Sequence, residues 1–311
     1  MLKIIKATEP MTVANIVLTV YAQPGVGKST LGFTAEKPLM LDFDKGAYRA
    51  GNRGDAVTVV KWADVEAMSA EDLDPYLTIV VDTAGRALDA MSLDIIAKNP
   101  KAGRGGNLTL QGYGELKGKF TQWQSFLRSL GKDVVLICHM SEEKNGDDTM
   151  ERIDAQGSSK NEIYKSSDAM CRIQVGPNGD RFLNFDPREG GFGKNPAQLP
   201  RLQFPHPDKN PHFLADVIAQ IKGSINKMTA EQSEAVKQAD AWKATVDAAA
   251  DVNDINFLVE SAVKNKHPAP LRAMLNDRAI ALGFTFDKKA KVYTAPAVVE
   301  DTQPVTEGAS A

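Results

Sequence analysis

The segment Val17–Phe33, VLTVYAQPGVGKSTLGF, constrains the fold more than any other stretch of the chain. An apolar run, a glycine turn and an amphipathic run follow one another, which predicts strand, tight loop and helix. The loop matches G-x-x-x-x-G-K-[ST] except at its first position, where Ala22 replaces glycine. Across Gly25, Val26 and Gly27 the main-chain N–H groups can curl around an anion that side chains would otherwise obstruct. Lys28 then reaches the terminal phosphates and Ser29 offers its hydroxyl to Mg2+. With Thr30 these residues open a helix whose positive end faces the same anion. The methyl group of Ala22 is harmless while its φ stays negative, so binding is expected to survive the replacement. The expected ligands are ATP and Mg2+.

Apolar runs at 16–21, 38–43, 57–62, 77–82, 133–139, 169–175 and 181–185 alternate with helical patterns at 28–36, 85–98, 114–130 and 212–222. Most runs are continuous, as in strands covered on both faces, and the rhythm predicts an α/β fold with a mostly parallel central sheet. Phe120, Trp123, Phe126, Leu127 and Leu130 recur at helical spacing and are expected in the core. Cys138 and Cys171 each sit inside an apolar run and are expected as buried free thiols. The formal net charge of −3 excludes a surface coated with basic residues, though not a local basic loop. No run approaches membrane-spanning length and MLKIIKATEP is too short and polar for a signal peptide. The expectation is a cytoplasmic protein with no membrane partner, in the host cytoplasm if phage-encoded.

Three carboxylates stand where nucleotide chemistry needs them. Asp82 ends the run LTIVVD and is expected to hold the magnesium ion together with Ser29. In LMLDFDKG, Asp42 and Asp44 are two apart at a strand end and can face the same way. Asp44 is the favoured base for water, while Asp42 can equally serve a structural hydrogen bond. His139 closes the run VVLICH, where a polar residue can sense the terminal phosphate; a structural histidine is the alternative.

Segments 99–114, 141–161 and 186–211 are rich in glycine, proline or charge and read as long loops. The boundaries expected are a core over 1–225, a small helical domain over 226–295 and an acidic disordered tail over 296–311. In the second domain Thr229 with Gln232 resembles a capping box, Asp254 can cap the next helix, and 284–293 reads as a packed hairpin.

Taken in order, AQPGVGKST, LDFD, TIVVDT and LICHM resemble the RecA-like P-loop ATPases, in particular the phage annealing ATPases of the Sak type, over about residues 14–222. The resemblance implies a RecA-like core with catalytic roles for Lys28, Asp44, Asp82 and His139. Asp44 stands where those proteins carry a catalytic glutamate, one methylene longer, and His139 where RecA has a glutamine coupling ATP to DNA. Two loops contact DNA in that family, and 99–114 and 141–161 occupy their places. Lys101, Arg104 and Tyr113 in the first, and Lys144, Arg152 and Lys160 in the second, are therefore DNA-binding candidates through phosphate contacts and stacking. Glu142, Glu143, Asp147 and Asp148 oppose this in the second loop. The family also completes its ATP site with a cation from a neighbouring subunit, for which Lys160, Lys165, Arg172 and Arg181 are candidates.

The function implied is ATP-linked binding of single-stranded DNA by a homo-oligomer, a filament or a ring, that promotes annealing or recombination. A single-strand-binding protein is an expected further partner. The alternative is a slow nucleotide switch that recruits replication or recombination partners through the helical appendage. A small-molecule kinase fits less well, because no arginine-rich lid stands out in the sequence. A helicase motor lacks an evident N-terminal assembly domain.

Overall fold

All six residues of β1 (Val17–Ala22) are buried, and such a strand belongs in the middle of a sheet. The computed structural model, which describes residues 4–145, 148–155, 160–187 and 191–296, places it there. Its neighbours are β7 (Asp133–Asn145) and β9 (Ala169–Val175), both parallel to it. Beyond β7 follow β4 (Thr78–Asp82), β2 (Pro38–Asp42) and the short edge strand β3 (Ala56–Thr58), again parallel. Beyond β9, β10 (Arg181–Asn184) and β11 (Leu202–Phe204) pair antiparallel. The result is an α/β P-loop core on a mostly parallel sheet, with a helical C-terminal region.

Side chains alternate across this sheet, as strand geometry requires. Val17 and Tyr21 pack on one face with Trp62, Phe120, Trp123 and Leu127, while Leu18, Val20 and Ala22 pack on the other with Leu31, Phe185, Leu214 and Ile221. The first face is covered by α2 (Trp62–Glu66), α3 (Ala70–Leu73), α4 (Ala84–Lys98) and α5 (Leu110–Ser129). The opposite face carries α1 (Lys28–Gly32) and the first turns of α7 (Phe213–Ala248). Thr19 is the buried polar exception on β1, and its hydroxyl lies 2.6 Å from that of Ser167. Ser167 directly follows α6 (Lys160–Ser166).

Register decides what the sheet brings together. Ala22 pairs with His139, Asp82 with Ile137, and Asp42 with Asp82. The C-terminal ends of β1, β7, β4 and β2 therefore meet at one edge, where parallel α/β sheets bind ligands.

Several expectations are corrected. α1 stops at Gly32 rather than at 36, because Thr34 and Ala35 turn back onto the carbonyls of Leu31 and Gly32. The run expected at 57–62 shortens to β3, and Lys61 then starts α2 with Asp64 bonding back to its N–H. Phe126 is 37% exposed and lies at the edge of the aromatic stripe, whereas Phe120, Trp123 and Leu127 are buried. Segment 99–114 is folded: β5 (Gly103–Arg104) pairs with β6 (Asn107–Leu108), and α5 begins at Leu110 behind its cap Thr109. Segment 141–161 is largely a hairpin, since β7 runs on to Asn145 and pairs antiparallel with β8 (Asp148–Ile153). Cys138 and Cys171 are buried free thiols, as expected.

Contact density divides the chain after Met228, with Met11–Met228 forming one compact unit. In the second, the end of α7 packs with α8 (Val252–Lys264), α9 (Ala269–Ala281) and the hairpin of β12 (Thr285–Asp287) and β13 (Val292–Thr294). Trp242 fills its core with Val246, Ile255, Leu258, Leu275 and Tyr293, and its indole N–H donates to the Leu271 carbonyl at 2.8 Å. No helix starts at Thr229, because α7 passes through it unbroken. Asp251, not Asp254, caps α8, with Asp254 as its capping-box partner. Residues 297–311, and with them nearly all of the expected tail, lie outside the described residues, as do Asp147 and the 188–190 part of the third loop. No helix among the described residues is long and apolar enough to cross a membrane.

Candidate functional site

Between β1 and α1 the chain turns through Gly25 (φ 81°) and Gly27 (φ 95°), both left-handed, which glycine adopts without strain. Gly27 carries a second constraint, since a Cβ there would collide with the guanidinium of Arg181. That guanidinium lies 4.4 Å from the Phe204 ring centre and donates to the Val26 carbonyl at 3.4 Å, bracing the loop from β10. Ala22 is not among the residues with positive φ, so its methyl group leaves the loop intact. Lys28 is buried and folds its ammonium back onto the carbonyls of Ala22 and Gln23, at 3.1 and 2.9 Å. Burial pulls its pKa below the ordinary lysine value, against Asp82 and Asp44, which favour the charge.

Opposite the loop, the Ser29 hydroxyl donates to Asp82 at 2.5 Å. Burial raises the Asp82 pKa, with the Ser29 hydrogen bond opposing the shift. Nearby Asp44 is held low, first by its hydrogen bond with His139 at 2.9 Å. Arg86 on α4 and Thr83 also face Asp44, at 3.7 and 3.4 Å. Asp42 takes the structural role, for its carboxylate accepts the N–H groups of Gly46 and Ala47 at 3.0 and 2.8 Å. A cavity of about 490 Å³ joins these groups and is lined by Gly25, Gly27, Lys28, Ser29, Asp44 and Asp82, among others.

The donor set fits a magnesium nucleotide. Unshielded loop amides and a buried ammonium suit phosphate oxygens, and a hydroxyl beside a desolvated carboxylate suits a hard divalent cation. A second carboxylate, Asp44, stands one hydrogen bond from the His139 imidazole and lines the same cavity.

Two charged residues of the cavity escaped sequence reasoning, Arg49 and Arg86. Arg49 follows the LDFD strand in a short 3-10 turn, stacks near Tyr48 and donates to Gly46. Arg86 occupies the first turn of α4, where the helix dipole disfavours a cation. That misfit was the available signal.

The DNA-binding candidates scatter. Lys101, Arg104 and Lys144 are exposed. Tyr113 is not on a loop; it sits on α5, half-buried against the core. Arg152 packs its guanidinium 4.0 Å from the Phe192 ring centre, and Lys160 pairs with Glu143 at 2.7 Å. Of the residues considered for a neighbour's site, Arg172 is 1% exposed and paired with Glu151, so it cannot reach another subunit. Arg181 serves its own loop, and Lys165 remains exposed beside Glu162.

No curated protein matches the chain in sequence. Among solved structures, a KaiC-like protein of the hyperthermophilic archaeon Pyrococcus horikoshii is 9% identical, with a TM-score of 0.31 over 54% of this chain and 76% of that one. The model of one family, described as an AAA domain, spans residues 14–197, from the start of β1 past the whole nucleotide cavity. By that match over more than half its length, the chain belongs to the AAA_24 family of AAA domains.

Proposed function

We propose that the protein is a Mg2+-dependent ATPase that binds single-stranded DNA in an ATP-linked manner and promotes annealing or recombination as a homo-oligomer. The observation that carries the ATPase reading is the convergence of Lys28, Ser29, Asp82 and Asp44 on one cavity. Gly25 to Thr30 would hold the phosphates, and Ser29 with Asp82 the metal. Bound there, Mg2+ supplies neutralisation of phosphate charge. The chain's own part is positional. Loop amides orient the phosphates, Lys28 leaves the Ala22 and Gln23 carbonyls for them, and Asp44 accepts a proton from water while His139 fixes its carboxylate.

The DNA reading is supported by one continuous element. β7 carries His139 at the cavity and runs straight into the hairpin with β8, beside which Lys144 is exposed. Lys101, in the 3-10 turn Pro100–Ala102, and Arg104, at the end of β5 before Gly105 and Gly106, add exposed cations. A fluorescent single-stranded oligonucleotide, titrated with ATP, with ADP and without nucleotide, tests this. Tight binding with ATP alone is expected; binding that ignores the nucleotide would remove the link. The helical C-terminal unit is the proposed docking surface for a single-strand-binding protein.

A second reading, a slow nucleotide switch recruiting partners, is favoured by the engagement of Asp44 with both His139 and Arg86. Turnover that stays slow and unmoved by DNA would select it.

A further inference from the structure

Arg86 is the least committed cation of the cavity. Its Nε lies 3.7 Å from Asp44 and its Nη1 3.7 Å from Asp89, both too far for hydrogen bonds. It makes no hydrogen bond to protein among the described residues, and its side chain is 66% exposed. Lys28, by contrast, is fixed by two carbonyls, and Arg49 by Gly46. Its guanidinium, which carries five N–H donors, therefore lines the cavity without a hydrogen bond among the described residues, its Nε toward the carboxylate expected to activate water.

Position sharpens the point. Arg86 lies four residues after Asp82, in the first turn of α4, which has no acidic residue to offset the helix dipole. A cation there costs helix stability unless an anion beyond the helix answers it. Asp44, and Asp89 one turn on within the helix, answer it in part, both beyond hydrogen-bond distance. A terminal phosphate in the cavity, flanked by Lys28 and Asp44, would answer it fully, because a guanidinium matches phosphate oxygens two at a time.

We propose that Arg86 completes the phosphate site from within the same chain, exchanging Asp44 for the terminal phosphate of a bound nucleoside triphosphate. This rests on the ATPase reading above and replaces its expectation of a cation from a neighbouring subunit. In the hydrolytic step the water oxygen bonds to the terminal phosphorus as the bond to the bridging oxygen breaks. The electron pair leaves on the diphosphate, and the water proton passes to Asp44. Arg86 donates to the terminal phosphate oxygens throughout, and its departure from Asp44 leaves that carboxylate free to accept the proton. Arg86 is thus a catalytic residue and also the release for the base.

The test compares wild type with Arg86→Ala and Arg86→Gln, measuring affinity for ATP and ADP and turnover at saturating ATP. Both variants are expected to hold ADP as wild type does, to lose the preference for ATP over ADP, and to turn over roughly 10³-fold more slowly. Mixing Arg86→Ala with Lys28→Ala protein separates the two origins of the cation. A cation acting within its own chain leaves the mixture as slow as its parts. Recovery of turnover in the mixture, or wild-type turnover by either single variant, overturns the proposal. Wild-type protein that binds ADP and ATP yet owes nothing to Arg86 refutes this inference alone; wild-type protein that binds neither refutes the ATPase reading with it.

Discussion

The Nε2 of His139 lies 2.9 Å from a carboxylate oxygen of Asp44, across the gap between β7 and the loop after β2. Each residue closes a separate run of sequence, and only the sheet order makes them neighbours. The hydrogen bond is the first cause of the lowered Asp44 pKa, so Asp44 stays ionised in the site. Asp44→Asn is expected to retain ATP and to slow turnover about 10²- to 10⁴-fold. Single-turnover assays with labelled ATP check it, and unchanged hydrolysis would move the base elsewhere.

Lys28→Ala removes an ammonium whose hydrogen-bond partners among the described residues are two carbonyls at the loop. Charge-assisted hydrogen bonds contribute about 1.5–3 kcal/mol, so ATP affinity should fall about 10- to 100-fold. Thermal stability should scarcely change, since the site loses a desolvated cation along with its bonds. Equilibrium dialysis beside a melting curve reads both.

Gly25 and Gly27 share a left-handed backbone but not a neighbourhood. A Cβ at Gly25 meets nothing within 4 Å, whereas one at Gly27 meets the Arg181 guanidinium. Gly25→Ala is expected to cost about 1–2 kcal/mol of backbone strain, and Gly27→Ala more than that. The ordering of the two in urea denaturation is the measurement. If Gly27→Ala proves the milder, Arg181 does not brace the loop.

On the outer face, Lys119 and Lys98 bridge Glu66 of α2 and Asp94 of α4. Hydrogen bonds from Lys98 and Lys119 hold the Glu66 carboxyl below its ordinary 4.5. A depressed acid adds stability above its unfolded-state pKa, and that share is lost as pH falls through the lower, folded-state value. Glu66→Gln should therefore cost stability at neutral pH, about 0.5 kcal/mol for so exposed a group, and progressively less as pH falls below the ordinary carboxylate range. Denaturation across that range should show the difference shrink; a constant gap would indicate packing.

How much of this was legible in the sequence depended on whether the signal was local. β1, its glycine turn and Asp82 announce themselves, because a buried parallel strand must be continuously apolar and must end where polar groups are needed. The hairpin did not. From Ser141 to Asn145 its strand carries SEEKN, polar at every position, and its pairing with β8 is set by hydrogen bonds that composition does not report. α7 runs on past the expected 212–222 to Ala248, because a solvated helix tolerates Gly223 and carries Thr229 within it. Arg49 and Arg86 follow different strands and meet only through the order of the sheet.

β7 is held by β1 on one side as far as His139, the last residue in that ladder. From Met140 onward its only ladder partner among the described residues is β8. His139 is therefore a fulcrum, with a stiff arm of six residues, about 20 Å, projecting past it. A tilt of about 2° there, smaller than a side-chain adjustment, sweeps the far end through about 0.7 Å. Any rotation at His139 is thereby magnified along the arm in proportion to the distance from it.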